Sequence, residues 1–213
     1  MKLYLSSYLF GNHPDELVKL IGPNKKVGIV MNATDIYGNE KRPTYLAREV
    51  EKMKVLGLVA EELDLRNYFS DKSTLKTKLE SYGLIWVMGG NSFVLRRAMK
   101  MSGFDHAIKD LVMSEALVYG GFSAGSVVAT QTLKGIELVD HPNQTPEDYI
   151  PETVWEGLGF VKFSIAPHYR SEHPESAMIE KVVQYFEENR MPYKALHDGE
   201  VLVINGADVR LIK

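Results

Sequence analysis

The sequence predicts an α/β fold, a mostly parallel sheet with helices on both faces, and three observations predict it. Short apolar runs alternate with amphipathic stretches along most of the 213 residues, the pattern of repeated strand–helix–strand units. The runs at 26–31, 84–88 and 116–119 are nearly continuous in apolar residues, as strands covered on both faces are. Glycine-rich turns follow two of these runs at once, Gly89-Gly90 and Gly121-Phe122-Ser123-Ala124-Gly125, where a strand bends directly towards a helix.

Each element follows in order. Residues 3–7 read as a first strand. Residues 13–21 read as a helix, with Pro14 near its start and Gly22-Pro23 as its stop. The strand at 26–31 leads into a polar loop at 32–42. Pro43 suits the first turn of a helix, along which Tyr45, Leu46, Val50, Met53 and Leu56 recur at helical spacing until Gly57. A strand is expected within 58–65 and a helix over 73–82, with Ser73 as its cap. After the strand at 84–88 and its glycines, helices are expected from about Val94 and over 105–114. The central strand at 116–119 follows, then a helix of small residues, 126–130. Residues 140–153 are polar and contain three prolines, so an exposed loop is expected. A strand at 163–166 ends at Pro167-His168, and a long amphipathic helix covers 174–189. The strands at 193–197, 201–205 and 209–212 complete the chain, the last two as a hairpin across Asn205-Gly206.

Composition bounds the function. One domain over 1–213 is expected at this length, and 45% hydrophobic residues suffice for a large core. The net charge of −3 and a pI near 6.1 offer no nucleic-acid-binding surface. There is no cysteine, which excludes disulfides, thiolate metal sites and a cysteine nucleophile. No apolar run reaches the ~18 residues of a membrane span, and the first residues do not form a signal peptide. A cytoplasmic protein with no membrane partner is expected.

Ligands bind beyond the carboxyl ends of parallel strands, so the turns after Met88, Tyr119 and Ala166 are where chemistry is sought. The segment from Gly121 to Gly125 has the Gly-x-Ser-x-Gly pattern of a nucleophile elbow, in which a strained turn lifts the serine hydroxyl above the sheet. The plainer alternative is a tight turn whose serine caps a helix. A serine nucleophile needs a base. Of the six histidines, His168 is the first choice, because it alone lies directly after an apolar strand, on the Pro167 turn. His13, His106, His141, His173 and His197 fit surface or helix-end roles. An orienting carboxylate is required in turn. Asp198, at the end of the strand 193–197, is the leading candidate, with Glu200 as its rival and Asp140, Asp148, Glu172 and Glu175 also open. The backbone N–H of Ala124 and one from Gly89-Gly90-Asn91 are the candidate oxyanion donors. That loop lacks the Lys-Ser/Thr of a phosphate-binding loop, so no nucleotide cofactor is expected, and no metal.

Three segments, Val87-Met88-Gly89-Gly90-Asn91-Ser92-Phe93, Gly121-Phe122-Ser123-Ala124-Gly125 and Pro167-His168-Tyr169, occur in the order and at about the spacing seen in peptidase E. The chain thereby resembles, over nearly its whole length, the aspartyl dipeptidase family of serine peptidases that also includes cyanophycinase. The resemblance implies a fold similar to class I glutamine amidotransferase domains and a triad in the order serine, histidine, acid. It places Ser123 as nucleophile, His168 as base and Asp198, within Leu196-His197-Asp198-Gly199, as the acid. It places Gly90 and Ala124 at the oxyanion hole, and a small peptide as the substrate. Asn91 and Arg170 are the candidates for holding that substrate. One departure stands out. Aspartyl-selective members carry an arginine shortly after Glu-Ser/Thr, where this chain has Glu175-Ser176-Ala177. Loss of a bidentate carboxylate contact weakens the case for aspartyl specificity. The readings from other classes are a non-catalytic sensor of peptides or small ligands on the same scaffold, and an esterase or amidase.

Overall fold

The computed structural model describes residues 1–38 and 40–213. Its strands are β1 (Lys2–Ser6), β2 (Lys26–Val30), β3 (Val59–Glu62), β4 (Leu84–Val87), β5 (Val118–Phe122), β6 (Ser164–Ala166), β7 (Tyr193–Ala195), β8 (Val201–Asn205) and β9 (Asp208–Ile212). Its helices are α1 (Pro14–Leu20), α2 (Arg42–Val55), α3 (Leu75–Glu80), α4 (Ser92–Ser102), α5 (Phe104–Met113), α6 (Ala124–Val127) and α7 (Ser176–Glu188). Seven strands form one sheet in the order β3-β2-β4-β5-β1-β8-β9. β1 to β5 run parallel. β8 pairs antiparallel with β1, and the hairpin through Gly206 adds β9 at the edge.

The apolar runs are continuous because both faces of the sheet are covered. Along β1, Leu3 and Leu5 enter one core while Tyr4 enters the other. Along β4, Ile85 and Val87 share the first core, and Leu84 and Trp86 the second. Such alternation is the period of two that a pleated strand imposes. Leu17 of α1 and Met53 of α2 close one face, and Leu79 of α3, Leu95 of α4 and Ile108 of α5 close the other. A third core packs Ile179, Val182 and Phe186 of α7 against Leu133 and Ala166.

The structure departs from several of the expected elements. β6 and β7 leave the main sheet and form a parallel pair of their own, in register Ala166 to Ala195. Residues 32–37, expected as loop, form a 3-10 helix. The expected cap Ser73 lies outside α3, which starts at Leu75 after Thr74; the Ser73 amide instead donates to Asp71 Oδ1 at 2.9 Å. The stretch 140–153 is the mostly exposed loop that the sequence predicts, and the fully buried Arg97 of α4 fastens it down. The Arg97 guanidinium donates to the carbonyls of Pro142 (2.7 Å), Glu152 (3.1 Å) and Pro151 (3.2 Å). A buried cation needs oxygen acceptors, and a proline-rich segment with no helix or strand of its own has carbonyls to offer.

Candidate active site

β4, β5 and β1 are neighbours in the sheet, so their carboxyl ends open onto one place. β5 continues through the glycines to Phe122, and Ser123 then turns the chain with φ 50° and ψ −119°, a conformation that strains a side-chain-bearing residue. The flanking glycines are a matter of space. A Cβ on Gly121 would stand 2.8 Å from the Val87 carbonyl oxygen, and one on Gly125 would fall onto the same oxygen. The helix beyond is shorter than the sequence predicts, the single turn α6. So short a helix has little dipole, but the Ala124 N–H at its start is left open. Neither that amide nor the one of Gly90 donates to any group among the described residues. Gly90 has φ 136°, and a Cβ there would meet Ala33 O at 2.5 Å, so glycine is required for the turn that leaves its N–H uncovered.

The candidate base and acid come from the small sheet. β6 ends at Ala166 and β7 at Ala195. The ladder extends past both ends, with Tyr169 N–H donating to Leu196 O at 3.0 Å, which brings His168 beside Asp198. The buried His168 ring meets Asp198 Oδ1 through Nδ1 at 2.8 Å. A carboxylate only accepts, so Nδ1 carries the proton and Nε2 keeps its lone pair. Burial pushes the His168 pKa below the ordinary histidine value, against the pull of the Asp198 carboxylate, and His173 pushes it in the same direction as burial. The ring is therefore neutral at pH 7. Among the described residues no hydrogen bond joins Ser123 Oγ to the ring. Ser123 and Pro167 line one small cavity, together with Ser92, Asp140, Glu175 and Ile179.

The remaining candidates separate clearly. Glu200 accepts from the His197 amide at 3.0 Å and is not the partner of His168. Asp140 lies at the cavity, where its Oδ2 accepts from the Ser92 amide at 2.8 Å, and burial raises its pKa to about 6. The Asn91 side chain is not placed to hold a substrate. Its oxygen caps α4, accepting from Phe93 and Val94 amides, and its nitrogen donates to His141 O and Gln144 Oε1. Arg170 likewise departs from the expected role. Its side chain is 70% exposed, 3.9 Å from Glu180, and lies over the Tyr169 ring. It does not line the cavity at Ser123.

Two residues were missed from the sequence. Ser7, fully buried just past β1, ties the whole site together. Its hydroxyl donates to Asp198 Oδ1 (2.7 Å) or Leu196 O (3.2 Å) and accepts from the His168 amide (2.8 Å). Its carbonyl accepts from the Ser123 amide (3.1 Å). The strand-end rule that marked three other turns applies equally to this one. His173, which reads as a solvent-facing residue before a proline, stacks on His168 with ring centroids 3.7 Å apart and planes 9° from parallel. No local signal predicts that.

The comparisons with known proteins bear on the family and the fold. The model of peptidase family S51 matches residues 12–212. A peptidase of Listeria monocytogenes without a characterised activity is 28% identical over 165 residues, 78% of this chain and 76% of that one. Peptidase E of Streptomyces coelicolor is 31% identical over 176 residues, 80% of this chain and 66% of that one. A crystal structure of a peptidase E-type protein from Listeria monocytogenes superposes with a TM-score of 0.78 at 25% identity, over 100% of this chain and 98% of that one.

Proposed function

The chain belongs to peptidase family S51, a family of serine peptidases, and on that footing we propose that it hydrolyses small peptides, in the manner of a dipeptidase, through Ser123, His168 and Asp198. The observation that carries the reading is the 2.8 Å contact of His168 Nδ1 with Asp198 beside a serine held at positive φ. Ser123 Oγ attacks the peptide carbonyl as His168 Nε2 takes its proton. The same proton then passes to the departing amine, and the bond to nitrogen breaks to leave an acyl-enzyme. Asp198 holds the ring in the tautomer with Nε2 open and stabilises the imidazolium that forms. The Gly90 and Ala124 amides face the oxyanion. Water, deprotonated by His168, releases the acyl group. The Ser123 hydroxyl and Nε2 come within about 2.6–3.2 Å as substrate binds, since such contacts tighten in the Michaelis complex.

Aspartyl specificity is not supported. Ala177 occupies the position of the expected arginine, and the cavity at Ser123 carries two carboxyl groups, Asp140 and Glu175. An acidic substrate side chain would meet like charge there. Peptides with neutral or basic residues at the cleaved position are the expected substrates. Ser123→Ala is expected to lower kcat/KM at least ~10³-fold on a dipeptide panel, with the circular dichroism spectrum unchanged. A fluorophosphonate is expected to label Ser123 in the wild type. Retained hydrolysis in the variant would remove the proposal. Turnover of simple esters but no peptide would reassign the chain as an esterase, and a folded protein that neither turns over nor labels would be a sensor.

A further inference from the structure

We infer that His168, His173 and Glu175 form a site for a divalent transition-metal ion of the zinc class, and that its occupation switches the enzyme off. One ligand atom from each of the three lies within 4.8 Å of the other two. A tetrahedral ion with bonds near 2.0–2.1 Å holds its ligands roughly 3.3 Å apart, so side-chain movements of at most about 1.5 Å close the set. Two imidazoles with one carboxylate are a zinc donor set that leaves a fourth position for water. The cluster is already organised in the way metal ligands usually are. The carboxylate of Asp198 holds His168 through Nδ1, which points the remaining nitrogen, Nε2, outward as a ligand and raises its basicity. The two rings are stacked nearly parallel with centroids 3.7 Å apart, and an imidazole lone pair lies in its ring plane, so the partly exposed His173 ring must turn off the stack to aim a nitrogen at an ion shared with His168. Glu175 is tied to His173 through its own amide, which donates to His173 Nδ1 at 3.3 Å, and Glu175 Oε2 lies 3.8 Å from that nitrogen.

The consequence is exclusive use of one lone pair. In hydrolysis Nε2 of His168 accepts the Ser123 proton; with a metal bound, the same pair is donated to the ion. Binding depends on the cluster alone, and inhibition depends also on the proposed function. Two readouts keep them apart. In chelator-stripped protein, titration with Zn²⁺ by calorimetry and with Co²⁺ by its visible absorption should show one ion per chain with tetrahedral intensity. Ser123→Ala should bind as the wild type does. His173→Gln should lose at least ~10-fold in affinity, and its hydrolysis should resist Zn²⁺ concentrations that arrest the wild type until chelator is added. No uptake, uptake that His173→Gln leaves unchanged, or uptake lost in Ser123→Ala would each overturn the site. Uptake as expected in a protein that hydrolyses nothing would leave the site standing and remove the proposed function.

Discussion

Ser7 gathers more of the site than any residue marked by a motif. A hydroxyl has one proton and two lone pairs, and here they reach Asp198, the His168 backbone and the ladder at Leu196. Ser7 touches no reacting atom, so it is a positioning residue. Ser7→Ala is expected to lower kcat about tenfold, the equivalent of ~1.4 kcal/mol, with KM little changed and partial rescue in Ser7→Thr. A parallel rise in KM, or no rescue, would make the role merely structural. Asp140 offers a second test at this scale. Its folded pKa, about 6, stands above the ordinary aspartate value because of burial. A raised carboxyl pKa favours the fold while the group is protonated, and that contribution is lost as pH rises through 6. Asp140→Asn is therefore expected to stabilise the protein at pH 8, by on the order of 2 kcal/mol, and to change it little at pH 4. The asparagine oxygen can still accept from the Ser92 amide. Equal Tm differences at the two pH values would refute this.

At the scale of elements, the loop 140–153 and α4 depend on each other. Asn91 caps the helix and also holds the loop at His141 and Gln144, Asp140 accepts from the Ser92 amide, and Arg97 binds three of the loop's carbonyls at 3.2 Å or less. Tyr149 adds a hydrogen bond to the buried Asp35 carboxylate. Removing Arg97 leaves those partly buried carbonyls without their donor. Arg97→Met should cost about 3 kcal/mol by urea denaturation, and should lower kcat/KM as well, because the loop carries Asp140 to the cavity. A variant as stable as the wild type would show that water replaces the guanidinium. The pair β6 and β7 is the other decisive element. It is only three residues on each side, yet its register aligns the turn bearing His168 with the turn bearing Asp198.

For the whole molecule, the sheet order does the assembling. With β4, β5 and β1 adjacent, the turn at Gly90, the elbow at Ser123 and the Ser7 turn lie side by side although they are spread over the first 123 residues. The helices on the two faces seal separate cores, so the carboxyl ends of the strands are where polar groups gather. Both sheet edges are charged, through Glu61 and Glu62 on β3 and Asp208 and Arg210 on β9, which discourages pairing with another chain. Among the described residues no helix is long and apolar enough to cross a membrane.

The amino-acid sequence determined the α/β class, the position of nearly every strand and helix, and the family, because strand and helix periods and the steric need for glycine at 121, 125 and 90 are local properties. It did not order the strands. Pairing is decided by which faces can be buried together, and a run such as 163–166 reads alike whether it joins the large sheet or a separate pair. Sequence and resemblance ranked Asp198 first among six carboxylates, but only the tertiary structure put it on His168, brought Ser7 and His173 into the site, engaged Asn91 elsewhere and fastened the exposed loop 140–153 to Arg97. Each of those outcomes rests on a contact between residues far apart in the chain, where composition and spacing carry no record of distance.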